Sequence, residues 1–149
     1  MSGTSLDGID AAMIKTDGIS VFEQYGFITV PFEEEFKGKL KSILGQKTDL
    51  DGTIAEIEKE LTYLHSDVVK QLTTITDTKP DIIGFHGQTI FHDPDNGFTW
   101  QIGDGRLLSK ELGVPVINNF RQNDMKHGGQ GAPLLPLYHC ALVNKHKKD

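Results

Sequence analysis

Cysteine is nearly absent from this chain, and its scarcity bears on where the protein can work. Cys140 is the sole cysteine among 149 residues, so no disulfide can form within the chain. A reducing compartment is therefore expected. No lysine or arginine precedes Lys15, and no apolar run reaches the ~18 residues that a membrane-spanning helix needs. We expect a cytoplasmic protein that does not associate with membranes.

Positive charge is also in short supply, with 15 Lys and Arg against 21 Asp and Glu, for a net charge of −6. This balance argues against nucleic acid as a partner. The chain has no Gly-Lys-Ser/Thr sequence, which excludes a P-loop. Its six histidines show no paired His/Cys spacing, which argues against a histidine zinc site.

What the chain does contain is enough apolar sequence, 37%, for one globular domain. Apolar patterning predicts strands and helices that alternate after an initial hairpin turning at Asp17-Gly18. The spacing of Thr53 and Glu56 predicts a capping box at the start of the longest helix. The predicted strands are 9–16, 19–30, 81–85, 98–102 and 114–118, and the predicted helices are 32–44, 54–75, 106–112 and 134–144. This order favours one mixed α/β sheet with flanking helices.

Four polar, glycine-rich segments fall at the ends of these apolar elements, where α/β proteins place ligands. They are SGTSLDG (2–8), HGQT (86–89), QIGDG (101–105) and FRQNDMKHGGQGAPL (120–134). The first offers backbone N–H groups suited to an anion, and Asp124 in the last is suited to a general base. Each segment by itself is also compatible with an ordinary turn or a helix cap followed by a loop.

In this order, the motifs MSGTSLDGID, GFHGQTIFH, QIGDG, GVPVINNFR and DMKHGGQGAPLLP closely resemble the N-terminal half of the 1,6-anhydro-N-acetylmuramic acid kinase family. The resemblance implies a ribonuclease-H-like lobe of the actin, Hsp70 and sugar kinase superfamily. It also implies an enzyme that uses ATP, Mg²⁺ and water to open the anhydro ring of the sugar and to phosphorylate O6. The product would be N-acetylmuramate 6-phosphate, formed during cell-wall recycling, and the full-length enzyme would be a homodimer.

The resemblance also implies roles for individual residues. Asp124 would be the catalytic base, and Asp7 and Asp10 would lie near Mg²⁺. The ATP phosphates would be held by the opening loop, which consists of Gly3, Thr4, Ser5, Leu6, Asp7, Gly8, Ile9 and Asp10. The sugar would be bound by polar residues of the other three segments, namely His86, Gln88, Thr89, Gln101, Asp104 and Arg121.

Compared with that family, the chain is expected to lack a first strand before Met1 and a second lobe after Asp149. Residues 1–149 are therefore interpreted as an N-terminal kinase lobe that is inactive by itself. Two alternatives stay open. One is a non-catalytic sugar-binding or interaction module derived from the same lobe, and the other is a different sugar kinase of the superfamily.

Overall fold

The computed structural model describes residues 2–3 and 5–146, and its strands and helices alternate in the mixed α/β manner that the sequence predicts. Strands β1 (Gly8–Thr16) and β2 (Val21–Pro31) are followed by helices α1 (Glu34–Ile43) and α2 (Thr53–Thr76). The remaining elements are β3 (Ile83–Gly84), β4 (Gln88–Asp93), a 3₁₀ turn (Pro94–Asn96), β5 (Phe98–Ile102), α3 (Gly105–Leu112), β6 (Val116–Ile117), α4 (Phe120–Lys126) and α5 (Pro136–His146). Strand β4 and helix α4 lie in segments for which the sequence predicted no regular structure.

The strands of the described residues form three two-stranded sheets, and the expectation of one continuous mixed sheet is wrong for this part of the chain. β1 pairs with β2 and β4 with β5, both antiparallel, whereas β3 pairs with β6 in parallel. β1 and β3 do not pair, and residues of both strands line a groove of about 310 Å³. Its apolar lining includes Ile9, Met13, Leu72 and Phe85.

The first hairpin turns through a longer loop than the predicted Asp17-Gly18 pair. Thr16 is the partner of Val21, so four residues make the connection. Asp17 Oδ1 accepts hydrogen bonds from the backbone N–H groups of Ile19, at 2.9 Å, and Ser20, at 2.7 Å. These bonds keep Ile19 and Ser20 in the loop, which is why β2 begins at Val21 rather than at Ile19.

Helix α2 carries the core, as its apolar stripe predicts, but the predicted capping box is absent. Thr53 is the first helical residue, and Gly52 is the N-cap. The carboxylate of Asp49 accepts hydrogen bonds from the N–H groups of Ile54, at 3.2 Å, and Ala55, at 2.9 Å. Asp51 accepts another from Thr53 N–H at 3.0 Å. Acidic side chains of the preceding loop therefore satisfy the free N–H groups of the first turn.

The buried face of α2 packs against the first hairpin, α1 and the β4–β5 pair. The cluster consists of Leu6, Ile9, Phe32, Phe36, Leu40, Ile43, Ile54, Ile57, Leu61, Val68, Ile90 and Ile102. Beside this cluster, the buried His65 ring meets Phe85 edge-on, with 4.9 Å between ring centroids. His65 Nδ1 lies 2.9 Å from the carbonyl oxygen of Leu61 and so carries the proton of the neutral ring. Burial lowers the pKa of His65 to about 4.

None of the helices within residues 2–3 and 5–146 combines the length and the apolar character that crossing a bilayer requires.

Candidate functional site

The parallel pair β3–β6 brings two polar segments to one edge of the fold. Phe85 N–H donates to Ile117 O at 2.8 Å, so the chain leaves both strands at the same end. His86 follows β3 there, and Asn118 and Asn119 follow β6. Carboxyl ends of parallel strands are where α/β proteins commonly bind ligands.

An open cavity of about 1120 Å³ lies at this edge, between the strand ends, α4 and the segment that leads to α5. Three residues predicted from the sequence, His86, Arg121 and Asp124, line it together. Its other walls include Asn118, Phe120 and Leu134. The folded chain therefore brings together side chains that are up to 38 positions apart in the sequence.

The Asp124 carboxylate is held by the glycine-rich loop that follows α4. Gly131 N–H donates to Asp124 Oδ2 at 2.8 Å. Gly129 lies so close that a Cβ at this position would overlap the carboxylate. Among the described residues, Oδ1 has no hydrogen-bond donor. A half-buried carboxylate fixed through one oxygen, with the other open, has the geometry of a proton acceptor.

His86 and Arg121 contact each other beside Asp124. His86 Nδ1 lies 2.9 Å from the carbonyl oxygen of Gly87 and must carry a proton there. Its Nε2 therefore has a lone pair, which accepts the Arg121 Nε–H at 2.8 Å. The pKa of His86 is lowered, chiefly because burial disfavours the charged ring and also because of the nearby guanidinium. His86 is a neutral acceptor in this arrangement.

Gln101 and Asp104 line a second, more polar cavity of about 830 Å³, which shares Asn118 and Asn119 with the first. Asp104 is the N-cap of α3, because its Oδ1 accepts from Arg106 N–H at 2.8 Å and from Leu107 N–H at 3.0 Å. Gln101 Nε2 donates to Thr99 Oγ1 at 2.7 Å. Both side chains thus have structural partners as well as access to a cavity.

Helix α2 fixes the backbone of this second cavity. Glu58 Oε1 accepts from Gly103 N–H at 2.8 Å, and Thr62 Oγ1 accepts from Asp104 N–H at 3.0 Å. Gly103 has a φ of 137°, and a Cβ on it would lie 2.6 Å from the Phe85 ring. Only glycine fits this close approach between the QIGDG segment and the end of β3.

Gln88 and Thr89 do not line either cavity. Gln88 begins β4 and is fully buried, and its Nε2 donates to Thr89 O at 3.1 Å. Thr89 Oγ1 accepts from Gln101 Nε2 at 3.3 Å. These two predicted sugar-binding residues therefore lie behind the site, where they support Gln101.

The opening loop forms a tight turn apart from the large cavity, and none of its described residues lines that cavity. Leu6 N–H donates to Gly3 O at 3.1 Å, and Ser5 Oγ donates to Asp7 Oδ1 at 2.7 Å. The side chains of Leu6 and Ile9 belong to the core, so only their backbones could meet a phosphate. Thr4, which the sequence also assigns to phosphate binding, lies outside the described residues.

Glycines at the two ends of this loop have different roles. Gly8 runs against β2, where a Cβ would overlap Val30 O and lie 2.8 Å from Pro31 Cα. Among the described residues, a Cβ on Gly3 would meet nothing nearer than Ser5 Oγ, at 3.4 Å. Gly8 is therefore required by packing, whereas Gly3 leaves room that a ligand could use.

The two carboxylates assigned to Mg²⁺ offer the hard oxygen donors that this ion prefers. Asp7 is exposed, and the Ser5 hydroxyl, which is the largest cause, lowers its pKa, so that it is ionised at neutral pH. Asp10 is half-buried, and its Oδ1 accepts from Thr29 Oγ1 at 2.7 Å. Within the described part of the chain, no three acidic, histidine or cysteine side chains are grouped to hold a metal without other ligands. Either carboxylate has the donor chemistry for an ion that takes one or two carboxylates and completes its shell with phosphate and water.

Two kinds of site residue were missed from the sequence. Asn118 and Asn119 line both cavities, and their position directly after an apolar strand could have indicated this. Glu58 lies in the middle of a long helix, and nothing in its sequence neighbourhood indicates a contact with Gly103, 45 residues away.

Comparisons of the sequence with known proteins agree with the family resemblance that the motifs indicated. The family model for anhydro-N-acetylmuramic acid kinase matches residues 1–149. The anhydro-N-acetylmuramic acid kinase of Gluconobacter oxydans is 45% identical over 149 residues, covering 97% of this chain and 41% of its own length. The kinases of Rhizobium etli and Paramagnetospirillum magneticum are 45% and 46% identical and cover 99% and 96% of the chain. The chain spans about two-fifths of the length of these curated relatives.

Proposed function

This chain belongs to the anhydro-N-acetylmuramic acid kinase family, and from that membership we propose that it forms one lobe of an ATP-dependent sugar kinase. The lobe has a ribonuclease-H-like fold. The enzyme opens the 1,6-anhydro ring of anhydro-N-acetylmuramic acid with water and phosphorylates O6, giving N-acetylmuramate 6-phosphate for cell-wall recycling. The proposal assigns the large cavity beside β3 and β6 to the sugar.

The observation that carries this proposal is the Asp124 carboxylate at the wall of that cavity. It is fixed through Oδ2 by Gly131 N–H at 2.8 Å, and Oδ1 is open to a ligand. In the proposed reaction, Asp124 takes a proton from the water that attacks the anomeric carbon. The bond from that carbon to O6 breaks, and O6 becomes the acceptor of the phosphoryl group. A carboxylate suits this step because positive charge grows on the sugar carbon, as in glycoside hydrolysis.

ATP bound with Mg²⁺ supplies the phosphoryl group. On this chain, the backbone N–H groups and hydroxyls of residues 3–10 would hold the phosphates, with Asp7 and Asp10 beside the metal. The open space at Gly3 and the ionised, exposed Asp7 support this assignment. Phosphoryl transfer depends mainly on positioning and charge neutralisation, which a loop of this kind provides.

The sugar hydroxyls and amide need neutral hydrogen-bonding partners. The Asn118-Asn119 pair at the junction of the two cavities and Gln101 in the second cavity are suited to this role. Asp104 would contribute from the second cavity, and Gln88 and Thr89 would act from behind by holding Gln101.

The test is Asp124→Asn in the complete kinase, meaning the protein encoded by the whole reading frame that contains this chain. If that frame ends at residue 149, a chimera replaces the matching part of the Gluconobacter oxydans kinase with this chain. The asparagine oxygen still accepts from Gly131 N–H, so the fold should survive. Turnover should fall by about 10² to 10⁴-fold because the proton acceptor is lost. ATP and sugar affinity, measured by calorimetry, should stay within a few-fold.

The matched control is Asp95→Asn, which makes the same change on an exposed residue of the 3₁₀ turn and should leave turnover unchanged. A purely structural Asp124 would show the opposite pattern, with turnover largely kept and stability lower by about 0.5 to 2 kcal/mol. Sugar binding without turnover in the wild-type complete protein would instead favour a non-catalytic sugar-binding module.

A further inference from the structure

Two side chains of helix α4 form hydrogen bonds with the backbone N–H and carbonyl groups of Gly131. Its N–H donates to Asp124 Oδ2 at 2.8 Å, and its carbonyl oxygen accepts from Arg121 Nη1 at 2.9 Å. Gly131 is buried, and a Cβ on it would lie 3.2 Å from Met125 Sδ and 3.3 Å from Arg121 Cβ. The position of the Asp124 carboxylate is therefore coupled to the position of the Arg121 guanidinium.

Arg121 is in turn oriented by His86 from another part of the fold. The Arg121 Nε–H donates to His86 Nε2 at 2.8 Å, and His86 Nδ1–H donates to Gly87 O at 2.9 Å. The guanidinium is planar, with its N–H groups in a fixed fork, so binding at Nε fixes the direction in which Nη1 points. His86 therefore aims Arg121 at the Gly131 carbonyl.

We infer that His86 and Arg121 are positioning residues for Asp124, acting through Gly131. The hydrogen bonds run from Gly87 through His86, Arg121 and Gly131 to Asp124 without a break. Both ring nitrogens of His86 form hydrogen bonds within the protein, so neither is left for a sugar hydroxyl. This inference rests on the proposed function, in which Asp124 is the base. It replaces the sugar-binding role that the sequence predicted for His86 and gives Arg121 a positioning role.

A base held in one place raises the rate of proton transfer more than it raises substrate affinity. Arg121→Lys keeps the positive charge but loses the fork that joins His86 to Gly131. In the complete kinase, we expect Arg121→Lys to lower kcat by about tenfold or more while KM for the sugar stays within about threefold. Lys41→Arg exchanges the same two kinds of side chain at an exposed position on α1 and should leave both constants unchanged.

The decisive measurement combines each change with Asp124→Asn. A residue that acts only through Asp124 has nothing left to position, so Arg121→Lys should cause no further fall of kcat in the Asp124→Asn background. His86→Leu, which removes the acceptor for Arg121 Nε, should behave in the same way. His86→Gln should recover part of the loss, because its side-chain oxygen can accept that N–H.

A structural readout keeps this inference separate from the proposed function. Hydrogen exchange followed by mass spectrometry should show faster exchange in residues 128–133 of Arg121→Lys than in the same residues of Lys41→Arg. If the wild-type protein shows the slow exchange but no turnover of any sugar, the proposed function fails and the coupling stands. Unchanged exchange, a sugar KM raised more than tenfold at constant kcat, or an additive fall of kcat beyond Asp124→Asn would each overturn the positioning role.

Discussion

Lowering the pH should destabilise this protein through His65, which is 3% exposed on the buried face of α2. Burial lowers the pKa of this ring to about 4, against 6.5 for an exposed histidine. The unfolded chain therefore takes up a proton at pH values where the folded chain does not. The stability that His65 contributes is complete above about pH 6.5 and is lost as the pH falls from there through 4.

The size of the effect follows from the two pKa values. At pH 4.5 the difference in proton uptake between the folded and unfolded chain corresponds to about 2 to 3 kcal/mol of unfolding free energy. For a chain of this length that amounts to a fall of about 5 to 10 °C in melting temperature. Melting curves followed by circular dichroism between pH 8 and 4.5 would measure it.

The matched variant is His65→Leu, which fills a similar volume beside Phe85 and does not titrate. Leu61 O keeps its helical hydrogen bond, so no buried acceptor is left without a donor. Comparing the variant with the wild type at pH 8 gives the packing cost of the change, and the additional difference at pH 4.5 gives the titration. If the variant loses as much stability as the wild type between these pH values, His65 is not the group responsible and the reasoning is wrong.

The elements that the sequence predicted best are those whose pattern repeats over several turns or pairs. The apolar stripe of α2 and the alternation in β5 predicted both elements correctly, and the predicted bounds of β5 agree with the structure to the residue. The apolar runs at 81–85 and 114–118 were predicted as longer strands than they are, because only Ile83 to Gly84 and Val116 to Ile117 form a ladder. Helix α4 has seven residues and no buried ones, so it offers no stripe to detect.

The sequence indicated which segments would form the candidate site, but not which side chains contact one another there. Of the polar residues that the sequence placed at strand ends, His86 lines the larger cavity, Gln101 and Asp104 line the second, and Gln88 lines neither. By contrast, the HGQT segment was interpreted as a loop, so nothing indicated that Gln88 starts a strand and points inward with Ile90. The links from Arg121 to His86 and to Gly131 depend on side-chain direction, which spacing in the sequence does not reveal.

One variant would test the opening loop, and one pair of variants would test the start of α2. Gly3→Val should weaken ATP binding by the complete kinase and leave sugar binding unchanged, because a β-branched side chain fills the space left for a phosphate. Nucleotide affinity is measured by calorimetry, and an unchanged value would mean that the loop is not part of the ATP site. Asp49→Ala should lower stability by about 1 kcal/mol, because the N–H groups of Ile54 and Ala55 lose their acceptor. Thr53→Ala should cost much less, since no side-chain cap on α2 comes from Thr53. The unfolding free energy of both variants is measured by urea denaturation. A larger loss of stability for Thr53→Ala than for Asp49→Ala would mean that the predicted capping box, and not the acidic loop, stabilises the start of the helix.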